Sequence, residues 1–299
     1  MNAERPTSLS LEDTRRAQGR SVWQGMPRAL EKLLVYTGLV VGSLIFAFPF
    51  FWMIRTSLLT LAQVYQEPPI WVPNPPHWEN YVEIWSQGPF RHWITNSATV
   101  TLLSVFWGTI SSTLAAYGFA RTTFPGRDKL FLMVLATLMM PFHVLLIPQF
   151  AMFNEIGWLD TLYPLWVPSI FGSAFSIFIL RQYFLGLPAE LDDAAVIDGA
   201  NKWDILWRIT VPLSKPALGT VAVFSFIGNW NEFIRPLVFL RTPEMLTLAV
   251  GIQWFTGRYE TYFNWLMCSS LIALAPIIIL FFFVQKQFVQ GIALTGIKG

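Results

Sequence analysis

Cysteine is close to absent. The single Cys268 in 299 residues excludes an intramolecular disulfide framework and any all-cysteine zinc site. Histidine is nearly as scarce, and its three copies are scattered rather than spaced as metal ligands. Charge is thin as well: Asp, Glu, Lys and Arg make up 13% of the chain, against about 25% in ordinary globular domains. The net charge of +2 is too small for a nucleic-acid-binding surface. There is no G-x-x-x-x-G-K-[ST] phosphate loop and no G-x-G-x-x-G after a strand. A nucleophile elbow and a zinc signature are missing too. Nothing in the chain reads as an enzyme.

What the chain has instead is apolar length. Hydrophobic residues reach 54%, the mean hydropathy is +0.48, and Phe (26) and Trp (14) are abundant. A bilayer favours such a composition, with aromatic rings anchoring at its surfaces. A crossing helix needs about 20 mostly apolar residues. Six stretches qualify: Leu33 to Ile54, Trp93 to Phe119, Leu130 to Phe153, Pro164 to Phe184, Ala217 to Leu240 and Trp265 to Val284. The thirty residues at the N-terminus are polar, and form too long a lead before the first stretch for a signal peptide. With the N-terminus inside, only Arg55, Arg91, Arg235, Arg241 and Arg258 of the 20 cations fall outside. That bias predicts two cytoplasmic termini and an all-α, six-span membrane protein. The Pro-rich "QEPPIWVPNPPHWENY" (66–81) and the segment 241–265 become outer loops.

Several spans carry unusual residues. In the second, Ser104, Gly108, Ser112, Ala116 and Ala120 recur every four residues, a smooth stripe for close helix approach. Its partner is either another helix of this subunit or a second membrane subunit. The fifth carries Asn229, Asn231, Glu232 and Arg235, and polar groups inside a span are functional candidates. Ser225, Asn229 and Glu232 share one helical face, suited to lining a path for a hydroxyl-rich substrate. Glu232 and Arg235 equally suit a structural pair at i, i+3. Pro141 and Pro148 predict a bent third span, Pro276 a kinked sixth. His143 reads as a packed, hydrogen-bonded residue rather than a ligand, and Cys268 as a small apolar filler.

The segment 188–215 stands out between two apolar stretches. It contains "DDAAVIDGANKWDILWRITVPLSKP" and is too polar for a bilayer core. Pro188 suits a first helical turn, and the acids that follow favour a helix N-terminus. Gly199 suits a left-handed helix end. Asn201 suits the cap of a second helix, with Trp203, Leu206 and Trp207 as its apolar face, closed by Pro212 and Pro216. The expectation is a polar elbow of two short helices on the inner membrane surface, either covering the bundle or entering a groove of another protein. A magnesium-diphosphate site of the membrane prenyltransferase kind does not fit. Asp193 and Asp198 diverge by about 140° round a helix, and no second acid cluster faces them. A secondary transporter or channel gives the elbow no role.

These residues resemble the permease subunits of bacterial ABC importers. That family carries Glu-Ala-Ala, three residues, Gly, nine residues and Ile-x-Leu-Pro in a cytoplasmic loop. Here Asp193, Ala194 and Ala195, then Gly199, then Ile209 to Pro212 keep the spacing, with Asp193 for Glu and Val211 for Leu. "GNWNEFIRPLVFL" (228–240) and "QKQFVQGIALTGIKG" (285–299) look like the sugar-importing, MalG-like branch. The resemblance implies a polar cytoplasmic segment 1–30 and a permease domain 31–299 in the bacterial inner membrane. It also implies an ATPase-coupling elbow carried by Asp193, Ala194, Ala195, Gly199, Ile209 and Pro212. The tail 286–299 would reach a cytoplasmic ATPase dimer, which alone would hold ATP and magnesium. A second, related permease subunit would complete the pathway, and a sugar-binding protein would meet 241–263 from outside.

Overall fold

The computed structural model describes residues 27–257 and 261–295. Residues 1–26 of the polar segment expected at the N-terminus, residues 258–260 and the last four residues lie outside the described residues. Every element is helical, and among the described residues the only bridge is an isolated antiparallel one between Thr256 and Thr261. The chain divides after Ile54 into two units. The first holds most of helix α1, Arg28–Ser57, an apolar helix that runs through Pro49.

The second unit is organised by α2, Phe90–Arg121. Two bent pairs and a long final helix follow it in the chain. The helical stretch Arg127–Met139 (α3) meets Phe142–Glu155 (α4) at 97°. After Tyr163–Trp166 and a 3-10 turn, Val167–Phe171, the chain enters α5, Ala174–Leu185. Next come α6, Glu190–Ile197, α7, Lys202–Leu213, α8, Lys215–Trp230, the short α9, Ile234–Phe239, and α10, Phe263–Thr295. Among the described residues, four helical segments are long and apolar enough to cross a membrane, and up to six if each bent pair counts as one span.

The stripe on α2 packs within the subunit. Gly172, at φ +75°, lies so close to α2 that an added Cβ would sit 3.0 Å from Ser112 Oγ. Only glycine accepts both the angle and the approach. Ser173 then caps α5, its Oγ accepting from Ser176 N–H (3.1 Å) while its own N–H donates to Ser112 Oγ (3.2 Å). Ala116, Leu180, Phe184 and Val221 close the seam among α2, α5 and α8. At the other end of α2, Trp93 packs with Phe90, Leu248, Phe255 and Cys268. Cys268 is more than filler, because its Sγ donates to Ser57 O (3.3 Å). Asn80 donates to the carbonyls of Ser57 and Leu59 and accepts from Asn264, so a buried amide network joins three chain segments.

Two expectations need correction, and a third is sharpened: the bend expected in the third stretch, Leu130 to Phe153, is a break between two helices. Pro141 has no N–H to donate and pushes Met140 into an extended conformation (φ −79°, ψ 119°), which ends the helix. The fifth stretch stops at Trp230 instead of continuing to Leu240. There the side-chain amides of Asn229 and Asn231 also donate to the carbonyls of Ser225 and Ile227, and Glu232 N–H turns to Asn229 O (3.3 Å), a tighter i−3 bond at the helix end. His143 is exposed beside the Phe142 ring rather than packed, because the break at Pro141 leaves the first turn of α4 uncovered.

Candidate functional site

The elbow is built from two capped helices. Glu190, Asp192 and Asp193 occupy the first turn of α6, where acids favour the positive end of the helix dipole. Pro188 lies just before the cap residue Ala189, so it precedes the first turn instead of entering it. At the other end, Gly199 N–H donates to Val196 O (3.0 Å) and Ala200 N–H to Ala195 O (2.9 Å). With Gly199 at φ +83° this is a Schellman ending, and Ala200 packs back against the cluster that holds Ala195. Asn201 opens α7: its Oδ1 accepts from Trp203 N–H (2.9 Å) and Asp204 N–H (3.0 Å), and Asp204 accepts back from Asn201 N–H.

Pro212 does not end α7. The helix widens into a π turn over Leu206–Thr210, with Val211 N–H reaching back to Leu206 O, and runs on to Leu213. A wider turn accommodates the missing N–H of Pro212. The chain breaks at Ser214, where α7 and α8 meet at 78°. The expected apolar face also divides. Ile205 and Leu206 are buried against the bundle, while Trp203 and Trp207 face outward, edge to face at 5.7 Å.

The six residues singled out for coupling therefore do not share one face. Ala195 is buried among α2, α5 and α8, and Ile209 is half-buried on the same side. Asp193, Ala194, Gly199 and Pro212 are exposed. Beside them on the outward surface are Val196, Ile197 and Trp203, large apolar side chains 60%, 86% and 61% exposed. The spacing pattern does not include these three, nor the anchors beneath them. Arg121 Nη1 lies 3.4 Å from Asp192 Oδ2, and Arg121 Nη2 donates to Leu187 O (2.8 Å). Tyr117 OH donates to Lys202 O (3.1 Å) and Tyr183 OH to Leu213 O (3.2 Å). The one hint of Arg121 in the sequence is its place as the cation ending the second apolar stretch.

The second feature is a cleft of about 580 Å³ bounded by α2, the 3-10 turn with the start of α5, and α8. Ser225, Asn229 and Glu232 all reach its wall, as does the upper part of the α2 stripe at Ser104 and Gly108. The structural pair expected of Glu232 is present, and it sits on the wall of the cleft. Glu232 Oε2 accepts from Arg235 Nε (3.0 Å). Its Oε1 accepts from the N–H groups of Ile234 and Arg235, capping α9.

A loop tie lies elsewhere in this unit. Asp160, at φ +58°, accepts through Oδ1 from Arg241 N–H (2.8 Å) and Thr242 N–H (2.9 Å) and through Oδ2 from the Thr242 hydroxyl. Burial raises this carboxyl, but those hydrogen bonds and the Arg241 charge outweigh it and hold Asp160 below the usual carboxylate range.

Residues 108–294 match the family model described as the binding-protein-dependent transport system inner membrane component. The arabinooligosaccharides transport system permease protein AraQ of Halalkalibacterium halodurans is 35% identical over 222 residues, 74% of this chain and 79% of that protein. The lactose transport system permease protein LacG of Rhizobium radiobacter is 30% identical, covering 88% of this chain and 96% of its own. The sn-glycerol-3-phosphate permease protein UgpE of Yersinia pestis is 31% identical, with 85% and 93% covered. The fold is also that of a chain in the crystal structure of a bacterial ABC transporter that imports the acidic polysaccharide alginate. That match has TM-score 0.77 and 23% identity, over 87% of this chain and 98% of the other. With the family match extending over most of the helical core and relatives of nearly full length, this chain belongs to the binding-protein-dependent transport system inner membrane component family.

Proposed function

We propose that this chain is the permease subunit of an ATP-driven importer that moves a carbohydrate, most simply a di- or oligosaccharide, delivered by an extracytoplasmic binding protein. Each bent pair then counts as one span, which makes six, with both termini and the elbow on the cytoplasmic side. The outward patch of the elbow, Val196, Ile197 and Trp203 beside Asp193 and Ala194, docks in a cleft of a cytoplasmic ATPase. ATP and magnesium are held there, on a pair of such partners. A second permease subunit closes the pathway against the cleft that carries Ser225, Asn229 and Glu232.

The observation that carries this reading is an elbow that is rigid and anchored at once. A Schellman ending, a capping box and the Arg121 and Tyr117 contacts leave little slack between α6 and α2. A displacement of α6 is then passed to α2, α5 and α8 as a shift of packed elements, because close-packed seams transmit strain. ATP-driven closure of the partners thus rocks the spans between inward-open and outward-open states. The relatives that carry arabinooligosaccharides and lactose support the carbohydrate assignment.

A crosslink tests it. Ile197→Cys places a thiol on the exposed patch, whereas Cys268 is fully buried and out of reach of reagents. A short thiol-to-amine crosslinker in native membranes is expected to capture a soluble protein with a phosphate-loop lysine, identified by mass spectrometry. Capture of lipid or of this chain's own helices alone overturns the coupling role and revives the secondary-transporter reading.

A further inference from the structure

The cleft has a charge balance that bears on what it can pass. Among its described lining residues the only charged ones are Glu232 and Arg235, and they neutralise each other at 3.0 Å. As a pair they present no net charge to a ligand. Glu232 spends one oxygen on Arg235 Nε and the other on two backbone N–H groups. Arg235 gives its Nε to Glu232, and its guanidinium also lies 5.8 Å from the Phe142 ring centroid. The other polar groups are hydroxyls and an amide. Ser104, 1% exposed, and Thr109 belong to this wall, and among the described residues their buried hydroxyls have no hydrogen-bond partner. A hydroxyl both donates and accepts, so its natural complement is another hydroxyl. Two rings, Phe175 and Phe224, edge to face at 5.9 Å, add an apolar surface for the C–H face of a sugar ring.

An anionic ligand needs the opposite. A phosphate ester or an acidic sugar leaving water for this cleft loses its hydration, and recovers it only against unpaired cations or clusters of N–H donors. We infer that the cleft is an uncharged hydroxyl-lined passage whose ligand class is neutral polyhydroxyl compounds, with the Glu232–Arg235 pair excluding phosphate esters and sugar acids. The inference rests on the cleft being the substrate path, as proposed above. It sets this chain apart from the glycerol-phosphate and alginate systems it resembles.

The test measures the charge of the cleft directly. Gly228 lies on the wall one turn before Glu232, and a Cβ there meets nothing within 4 Å, so Gly228→Cys fits. In the assembled importer, its thiol is labelled with methanethiosulfonates carrying a hydroxyl, a sulfonate or a trimethylammonium group. Rates are normalised to a free thiol. The expected result is three rates within about threefold of one another. Adding Glu232→Gln frees the Arg235 charge and should raise the sulfonate rate about fivefold, the size of a unit charge at short range in a solvated site. Adding Arg235→Gln should raise the trimethylammonium rate similarly. A sulfonate rate already about tenfold above the other two in the parent marks an anion site and overturns the inference, while leaving the cleft as a path. Failure of all three reagents, with and without nucleotide, means no solvated path, and the substrate-path reading falls as well.

Discussion

Arg121 Nη1 stands 3.4 Å from Asp192 Oδ2, with the arginine side chain only 9% exposed, and the same guanidinium donates to Leu187 O. One residue at the end of α2 thus holds both the first turn of α6 and the strand of chain leading into it. Removing one partner of such a pair leaves the other partly buried and unpaired, at a cost of about 1–3 kcal/mol. Arg121→Ala and Asp192→Ala should each lower import and leave ATP hydrolysis less dependent on substrate. The double variant should cost less than the sum of the two, because the removed interaction is shared. Strict additivity in a transport assay would show that the pair carries no coupling.

Gly199 holds φ +83°, yet a Cβ there meets nothing within 4 Å. The expected cost of Gly199→Ala is therefore conformational, about 1–2 kcal/mol, and not steric. Asn tolerates the left-handed region, so Gly199→Asn should retain import best, Ala less, and a β-branched Val least, with the bundle still folded in all three. Uptake in membrane vesicles ranks them. Equal uptake in the Val variant would remove the elbow turn from the mechanism.

Gly251 presents the reverse case. A Cβ there would sit 2.2 Å from the Trp93 ring, which is fully buried and held by its Nε1 donating to Pro243 O (2.8 Å). Gly251→Ala should destabilise the purified protein by about 1–3 kcal/mol through overpacking, read as a lower thermal midpoint in detergent. Trp93→Phe in the same background should recover part of the loss.

Asp160 ties the loop after α4 to residues 241 and 242. Its carboxyl is held below the usual range, so the folded state favours the charged form. The stabilisation is present above the ordinary carboxylate value and is lost only as pH falls through the depressed folded value. Between about pH 5 and pH 7 the thermal midpoint should show no pH dependence from this group, whose stabilisation is fully present there, and below about pH 4 the tie should weaken. Asp160→Asn removes the charge at every pH, costs about 1 kcal/mol at neutral pH, and should flatten the acid limb of the profile. An unchanged acid limb in that variant would assign it to other carboxylates.

Local chemistry made much of the elbow legible. Gly199 and Asn201 are read correctly because a left-handed turn and a helix cap depend on a few neighbouring residues, and both appear as expected. Pro141 marked a break for the same reason, though the 97° angle depends on what the two helices pack against. Pro212 misled, since a proline stops a helix only where no wider turn takes up its missing hydrogen bond. Ser225, Asn229 and Glu232 were grouped by helical period, and they do meet at one cleft wall.

The division between the two levels follows from range. Sequence alone determined that the chain is apolar, helical, without an enzyme signature, and punctuated by a polar two-helix elbow, because composition, periodicity and caps act over a few residues. Tertiary structure alone decided that Ala195 faces the bundle while Ile197 faces outward, and that the stripe on α2 is sealed at Ser112 by Gly172 and borders the cleft at Ser104 and Gly108. It also decided that Arg121 meets Asp192 across 71 positions of sequence. Which face of a helix is buried depends on what packs there, and that information is spread over helices far apart in the chain.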